Sequence, residues 1–156
     1  MRSIIAAVVM IMLGAEPALA QAKFKRCLSP AEKKTEQIIR HGIFLREGGN
    51  RCDAEYNPGT AKLWSDFDKR FGRQLSQQTA SRKKLFEREF KTKALEVMTY
   101  FDGRLVTYYR HYPLSTSYCG QVDKLLKEVS TRGWTAFVKQ SAIVQADVIY
   151  DLKICQ

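Results

Sequence analysis

Histidine is close to missing from this chain: 156 residues carry two, His41 and His111. Neither has a second histidine or a carboxylate three or four residues away, the spacing at which one helix face holds a metal. No C-x-x-C pair occurs, which removes the zinc-ribbon pattern and covalent haem attachment. There is no G-x-S-x-G elbow, no phosphate-binding P-loop and no dinucleotide-binding glycine fingerprint. The His-Asp dyad of a disulfide-linked secreted phospholipase is also absent, since Tyr112 follows His111 and Gly42 follows His41. No cofactor and no metal are expected, and a non-catalytic role is expected over a catalytic one. Long apolar runs are scarce as well. Past residue 20 nothing approaches the ~20 consecutive apolar residues that a membrane-crossing helix needs, so no transmembrane segment is expected.

The first twenty residues read differently from the rest. Met1-Arg2-Ser3 is a short basic start, Ile4 to Leu13 an apolar run, and Ala18-Leu19-Ala20 a small-residue cleavage site. That is the pattern of a cleaved secretory signal peptide, residues 1–20, and it predicts a secreted or periplasmic protein. Residues 21–156 are then one domain, enough chain for one core. All four cysteines, Cys27, Cys52, Cys119 and Cys155, fall in it. In an oxidising compartment an even number predicts two disulfides.

Charge of one sign prevails: 26 Lys plus Arg against 16 Asp plus Glu give +10. Such a balance favours an anionic envelope polymer or an anionic membrane surface as neighbour. Nucleic acid is a further polyanion, but no nucleic-acid motif supports it. The bland alternative is that the charge only keeps an exported protein in solution.

The apolar pattern is helical throughout. Ser29-Pro30-Ala31-Glu32 combines a serine cap, a proline at the first helical position and a glutamate closing a capping box. The helix it opens carries Ile38, Ile39, Gly42 and Leu45 on one side and ends either at Gly48-Gly49 or at Asn57-Pro58-Gly59. Thr60 is expected to cap a second helix with Leu63, Trp64, Phe67 and Phe71 inward and Gly72 as its stop. A long central helix follows from Ser76 or Thr79. Its stripe, Phe86, Phe90, Ala94, Val97, Phe101, Leu105, Tyr108 and Tyr112, advances in steps of three and four residues. It keeps phase across the turn-prone Asp102-Gly103, so one helix, if bent, is expected up to Pro113. Val122, Leu125, Leu126 and Val129 mark a fourth helix to Gly133, and Trp134 to Cys155 a fifth. The last segment alternates as a strand would, but with no convincing strand to pair with it, helix is preferred.

The fold predicted is an all-α, single-domain bundle of about five helices stapled by two disulfides. A hairpin at Gly133 pairs Cys119 with Cys155 and leaves Cys27 with Cys52, which requires the first helix to end by Gly48. If that helix runs to Asn57, Cys52 pairs with Cys119 and Cys27 with Cys155. The first scheme is preferred.

One constellation joins charge to aromatics. Arg82, Lys83, Lys84, Arg88 and Lys91 crowd one end of the central helix, and Arg104 and Arg110 stand with Tyr100, Tyr108 and Tyr109 at the other. Tyrosines can stack on sugars or bases while arginines hold phosphate or carboxylate groups. Glu87, Glu89 and Glu96 are mixed in, as on a solvated face. The function expected is a small exported binding or accessory protein of the cell envelope, acting through this basic surface on an anionic polymer, a membrane surface or a partner protein. Two alternatives are a secreted hydrolase of cell wall or lipid, with Glu47 or Glu55 as its acid, and a periplasmic stress or assembly chaperone.

Overall fold

The computed structural model describes residues 22–145 and 152–155; the expected signal peptide, residues 1–20, lies outside them. Among the described residues there are four α-helical spans rather than about five helices: α1 (Pro30–Glu55), α2 (Thr60–Phe90), α3 (Ala94–His111) and α4 (Thr116–Val144), the last of them broken at Gly133. A single 3₁₀ turn, Lys91–Lys93, joins α2 to α3. None of the described helices is long and apolar enough to cross a membrane.

The start of α1 follows its sequence. The Ser29 hydroxyl accepts from the Glu32 N–H at 3.3 Å, and the Glu32 carboxylate accepts from the Ser29 N–H at 2.8 Å. Its end does not follow the preferred reading, because α1 runs straight through Gly48-Gly49. Those glycines are spacers. A Cβ at Gly48 would stand 3.0 Å from the Tyr118 hydroxyl and 3.1 Å from Val122, and one at Gly49 3.1 Å from Leu126. The Thr60 hydroxyl also donates to the Gly49 carbonyl at 2.7 Å. Close packing of α4 and of the start of α2 on α1 thus offsets the helix-propensity cost of two glycines, about 1 kcal/mol each.

The same extension decides the disulfides. Cys52 rides on α1 beside α4 and pairs with Cys119, while Cys27 pairs with Cys155. The preferred pairing is therefore replaced by its alternative. Residues 152–155 are not helical, contrary to expectation. Leu28 donates to the Lys153 carbonyl at 2.7 Å and accepts from the Cys155 N–H at 2.9 Å, forming one parallel bridge with Ile154. The partner missing from the sequence reading was the extended lead-in before α1.

Gly72 does not stop α2. Almost nothing surrounds it, the nearest atom to a built Cβ being Asp68 Oδ1 at 3.9 Å, so the helix continues along Phe67, Phe71 and Leu75. The break comes instead at Lys91, whose φ is 52°. Breaking there folds the long stripe on itself. Leu85 and Phe86 of α2 meet Ala94, Val97, Met98 and Phe101 of α3 in a small core closed by Leu28 and Leu152. Phe24 of the lead-in sets its ring edge-to-face on Phe86 and Phe90, each at 5.1 Å. An unbroken helix would have spread these residues over its whole length, with no partner for each half.

Asp102-Gly103 is continuous helix, as expected, and α3 ends before Pro113. Arg51 of α1 donates to the carbonyls of Tyr109 and Tyr112 there, satisfying that helix end. Within α4, Gly133 has φ 68° and ψ −152°. The chain doubles back at this point, for Gln140 donates to the Leu125 carbonyl at 3.2 Å. The larger core lies between α1, α2 and α4, with Leu45, Phe67, Val122, Leu126 and Phe137 fully or almost fully buried.

Candidate binding face on α3

Arg82 departs furthest from the expected basic surface. It is 2% exposed. Its Nε donates to Glu36 of α1, its Nη1 to Asp102 of α3, and its guanidinium lies 4.9 Å over the Phe86 ring. Burial disfavours its charge, but Glu36 and Asp102 outweigh this and hold its pKa above the ordinary value. Arg82 is a clasp between three helices and is unavailable to a polyanion. The signal was present in the sequence: Arg82 stands four residues before Phe86, in phase with the buried stripe.

The other cations fall into two groups. Lys83 pairs with Glu87 at 3.6 Å, Arg88 with Glu32 at 2.6 Å and Glu89 at 2.9 Å, and Arg110 with Glu47 at 2.8 Å. Glu89 also accepts from the backbone N–H groups of Lys25 and Arg26. Partial burial works against its charge, but these bonds and Arg88 prevail and lower its pKa. Lys84, Lys91 and Arg104 are exposed, and none forms an ion pair among the described residues. The seven cations therefore do not make one uninterrupted basic face; acids on neighbouring helices divide it.

One part of the constellation stays together. Tyr100, Arg104 and Tyr108 succeed one another at intervals of four on the outer side of α3, with Gly103 and Thr107 beside them, around a shallow open depression of about 560 Å³. Gly103 adds no side chain to its floor, and nothing lies within 4 Å of where its Cβ would be. Arg104 sits 6.0 Å over the Tyr100 ring. Tyr108 is 57% exposed. The aromatic surface continues through Tyr112, 5.7 Å from Tyr108, to Tyr118 of α4, 5.0 Å further on. Chemically this is a row of phenol rings, exposed at Tyr108 and Tyr112 and half-buried at Tyr100 and Tyr118, beside one cation that no carboxylate neutralises among the described residues. Tyr109 does not belong to it. Its ring is buried against Phe44, its hydroxyl meets Gln145, and burial raises its pKa.

The residues considered for catalysis are placed elsewhere. Glu47 is buried, one carboxylate oxygen accepting from Arg46 and the other from Arg110. Glu55 is exposed at the end of α1. His41 is fully buried, its Nε2 3.0 Å from the side-chain Oε1 of Gln140, and its ring lies among Phe44 and Phe137. Burial lowers its pKa to about 4 against the help of Gln140. His111 is exposed. Among the described residues no three His, Cys, Asp or Glu side chains converge as metal ligands do.

No protein-family model matches the chain, and no curated protein or solved structure matches it.

Proposed function

We propose that the protein is an exported, non-catalytic binding protein of the cell envelope that docks through the tyrosine and arginine face of α3 onto an anionic, sugar-containing polymer. The observation that carries this reading is the Tyr100–Arg104–Tyr108 row. It brings one exposed and one half-buried phenol ring beside a guanidinium that forms no ion pair among the described residues, although most neighbouring cations are paired. Phenol rings cover the apolar face of a sugar, and a guanidinium grips a carboxylate or phosphate with directed hydrogen bonds. The net charge of +10 adds long-range attraction to any polyanion. Only the local row provides shape.

Titration of an acidic envelope glycan into the oxidised protein tests the reading. Tyr108→Ala removes a stacking ring and is expected to weaken binding about tenfold at every salt concentration. Arg104→Gln is expected to weaken it and to flatten its dependence on salt. Both side chains are exposed, so neither change should disturb folding. Unaltered affinity in both variants would sink the proposal.

A further inference from the structure

A second concavity lies between α1, α2 and α3, distinct from the tyrosine row. Its volume is about 330 Å³, within the range of small-molecule sites. Ile39 and Ile43 of α1, Trp64 and Leu75 of α2 and Val106 of α3 line it with apolar surface. Gly42, on the α1 side, leaves room in front of Trp64 and Leu75, which stand 3.7 and 3.8 Å from where a Cβ would be.

The polar groups in this lining are unbalanced. Asp102 has one oxygen engaged by Arg82, which Glu36 holds in turn. Arg82 and Glu36 are 2% and 1% exposed, whereas the Asp102 side chain is 35% exposed. A buried ion pair thus fixes a part-exposed carboxylate whose other oxygen has no hydrogen-bond partner among the described residues. Thr79 gives its hydroxyl proton to the Leu75 carbonyl at 3.1 Å, so its free lone pairs can only accept. Asp68, also in the lining, is exposed and forms no ion pair among the described residues. Arg46, the cation of the lining, is engaged by Glu47 at 2.9 Å. The cleft therefore presents two carboxylates and apolar walls beside one guanidinium, which Glu47 engages through Nε and Nη2.

We infer that this cleft binds a small organic cation, a primary amine carrying a compact apolar body. The ammonium sits on the second oxygen of Asp102, with the Thr79 lone pairs in the same lining, and the body lies against Trp64 and Val106. An anion would meet Asp68 and Asp102. A neutral alcohol would gain the walls and lose the charge-assisted bond. Asp102 is prepositioned by the clasp that closes the helix bundle, so the ligand does not spend binding free energy on ordering it.

Isothermal calorimetry with 2-phenylethylammonium, 2-phenylethanol and 3-phenylpropionate tests this, with Trp64 fluorescence as a second readout. The ammonium is expected to bind about tenfold more tightly than the alcohol, and the carboxylate weakest. Val106→Phe, which fills the cleft, should abolish binding of the ammonium. Asp102→Asn keeps an acceptor for Arg82 but removes the charge, and should bring the ammonium down to the affinity of the alcohol. Should that variant not fold, Asp68→Asn at the exposed position decides, with a few-fold loss for the ammonium and none for the alcohol. Equal affinity for all three probes, no binding of the ammonium at millimolar concentration, or ammonium binding untouched by Val106→Phe would each overturn the inference.

Discussion

Replacing His41 with glutamine should remove a pH dependence that the folded protein otherwise carries. The imidazole is fully buried between Phe44 and Phe137, and its Nδ1 has no hydrogen-bond partner among the described residues. Burial lowers its pKa from 6.5 to about 4. The unfolded chain therefore binds a proton near pH 6.5 that the folded chain refuses until about pH 4. The stability due to neutral His41 is complete above pH 6.5 and is lost as pH falls towards about 4. The slope between those limits is about 1.4 kcal/mol per pH unit, for a total of about 3 kcal/mol, of which roughly 2 kcal/mol has gone by pH 5. Glutamine places an amide donor near the position of Nε2, so Gln140 keeps a partner while the titrating group is gone. Lost ring packing costs a constant amount at all pH values and cancels in the comparison. Asp66, Glu89 and Glu128 have pKa values held below the ordinary carboxylate range. Their contributions fade at lower pH, which keeps the window from pH 7 to pH 5 for His41. Urea unfolding at both pH values is the assay. The wild-type protein should lose about 2 kcal/mol more than the variant over this interval; equal losses in the two proteins would refute the argument.

Two glycines in helices should respond oppositely to alanine. Gly48→Ala pushes a methyl group to 3.0 Å from the Tyr118 hydroxyl and should destabilise by about 1–3 kcal/mol, whereas Gly72→Ala faces open space and should stabilise by about 1 kcal/mol. Thermal melting of both variants checks the spacer role, and a stabilised Gly48→Ala protein would contradict it. Glu36→Ala strips Arg82 and Arg40 of a buried carboxylate and should cost about 3–5 kcal/mol in denaturant unfolding; a loss below 1 kcal/mol would mean that the clasp does not matter. Peptide mapping under non-reducing conditions should recover Cys27 with Cys155 and Cys52 with Cys119, and any fragment joining Cys27 to Cys52 would refute the packing of α1 on α4.

The features legible in the sequence were those set by local chemistry. Ser29-Pro30 and Glu32 specify a helix start that no tertiary contact needs to support, and Pro113 ends a helix because its ring blocks the next turn. The period across Asp102-Gly103 outweighed the turn tendency of that pair. The features that were not legible depend on neighbours. Gly48-Gly49 looks like a stop until Tyr118, Val122 and Leu126 are seen to occupy the space where side chains would be. Gly72 looks like a stop too, although nothing opposes the helix there. The break at Lys91 has no punctuating residue; it follows from the gain of folding Phe86 onto Phe101. At the candidate face, the association of Tyr100, Arg104 and Tyr108 was readable from intervals of four. The burial of Arg82 and Tyr109 required recognising which residues share the apolar phase. Glu36 and Asp102, the carboxylates that hold Arg82, are far from each other in sequence, and only the packing of three helices brings them together.

The most direct test of the proposed function is elution of the oxidised protein from an immobilised acidic glycan across a salt gradient, beside an unrelated protein of equal net charge. A shaped site on α3 predicts retention at a salt concentration that releases the control, because stacking on tyrosine is not screened as charge is. Release of both proteins together would contradict a shaped site and leave the positive charge as a general property of the surface.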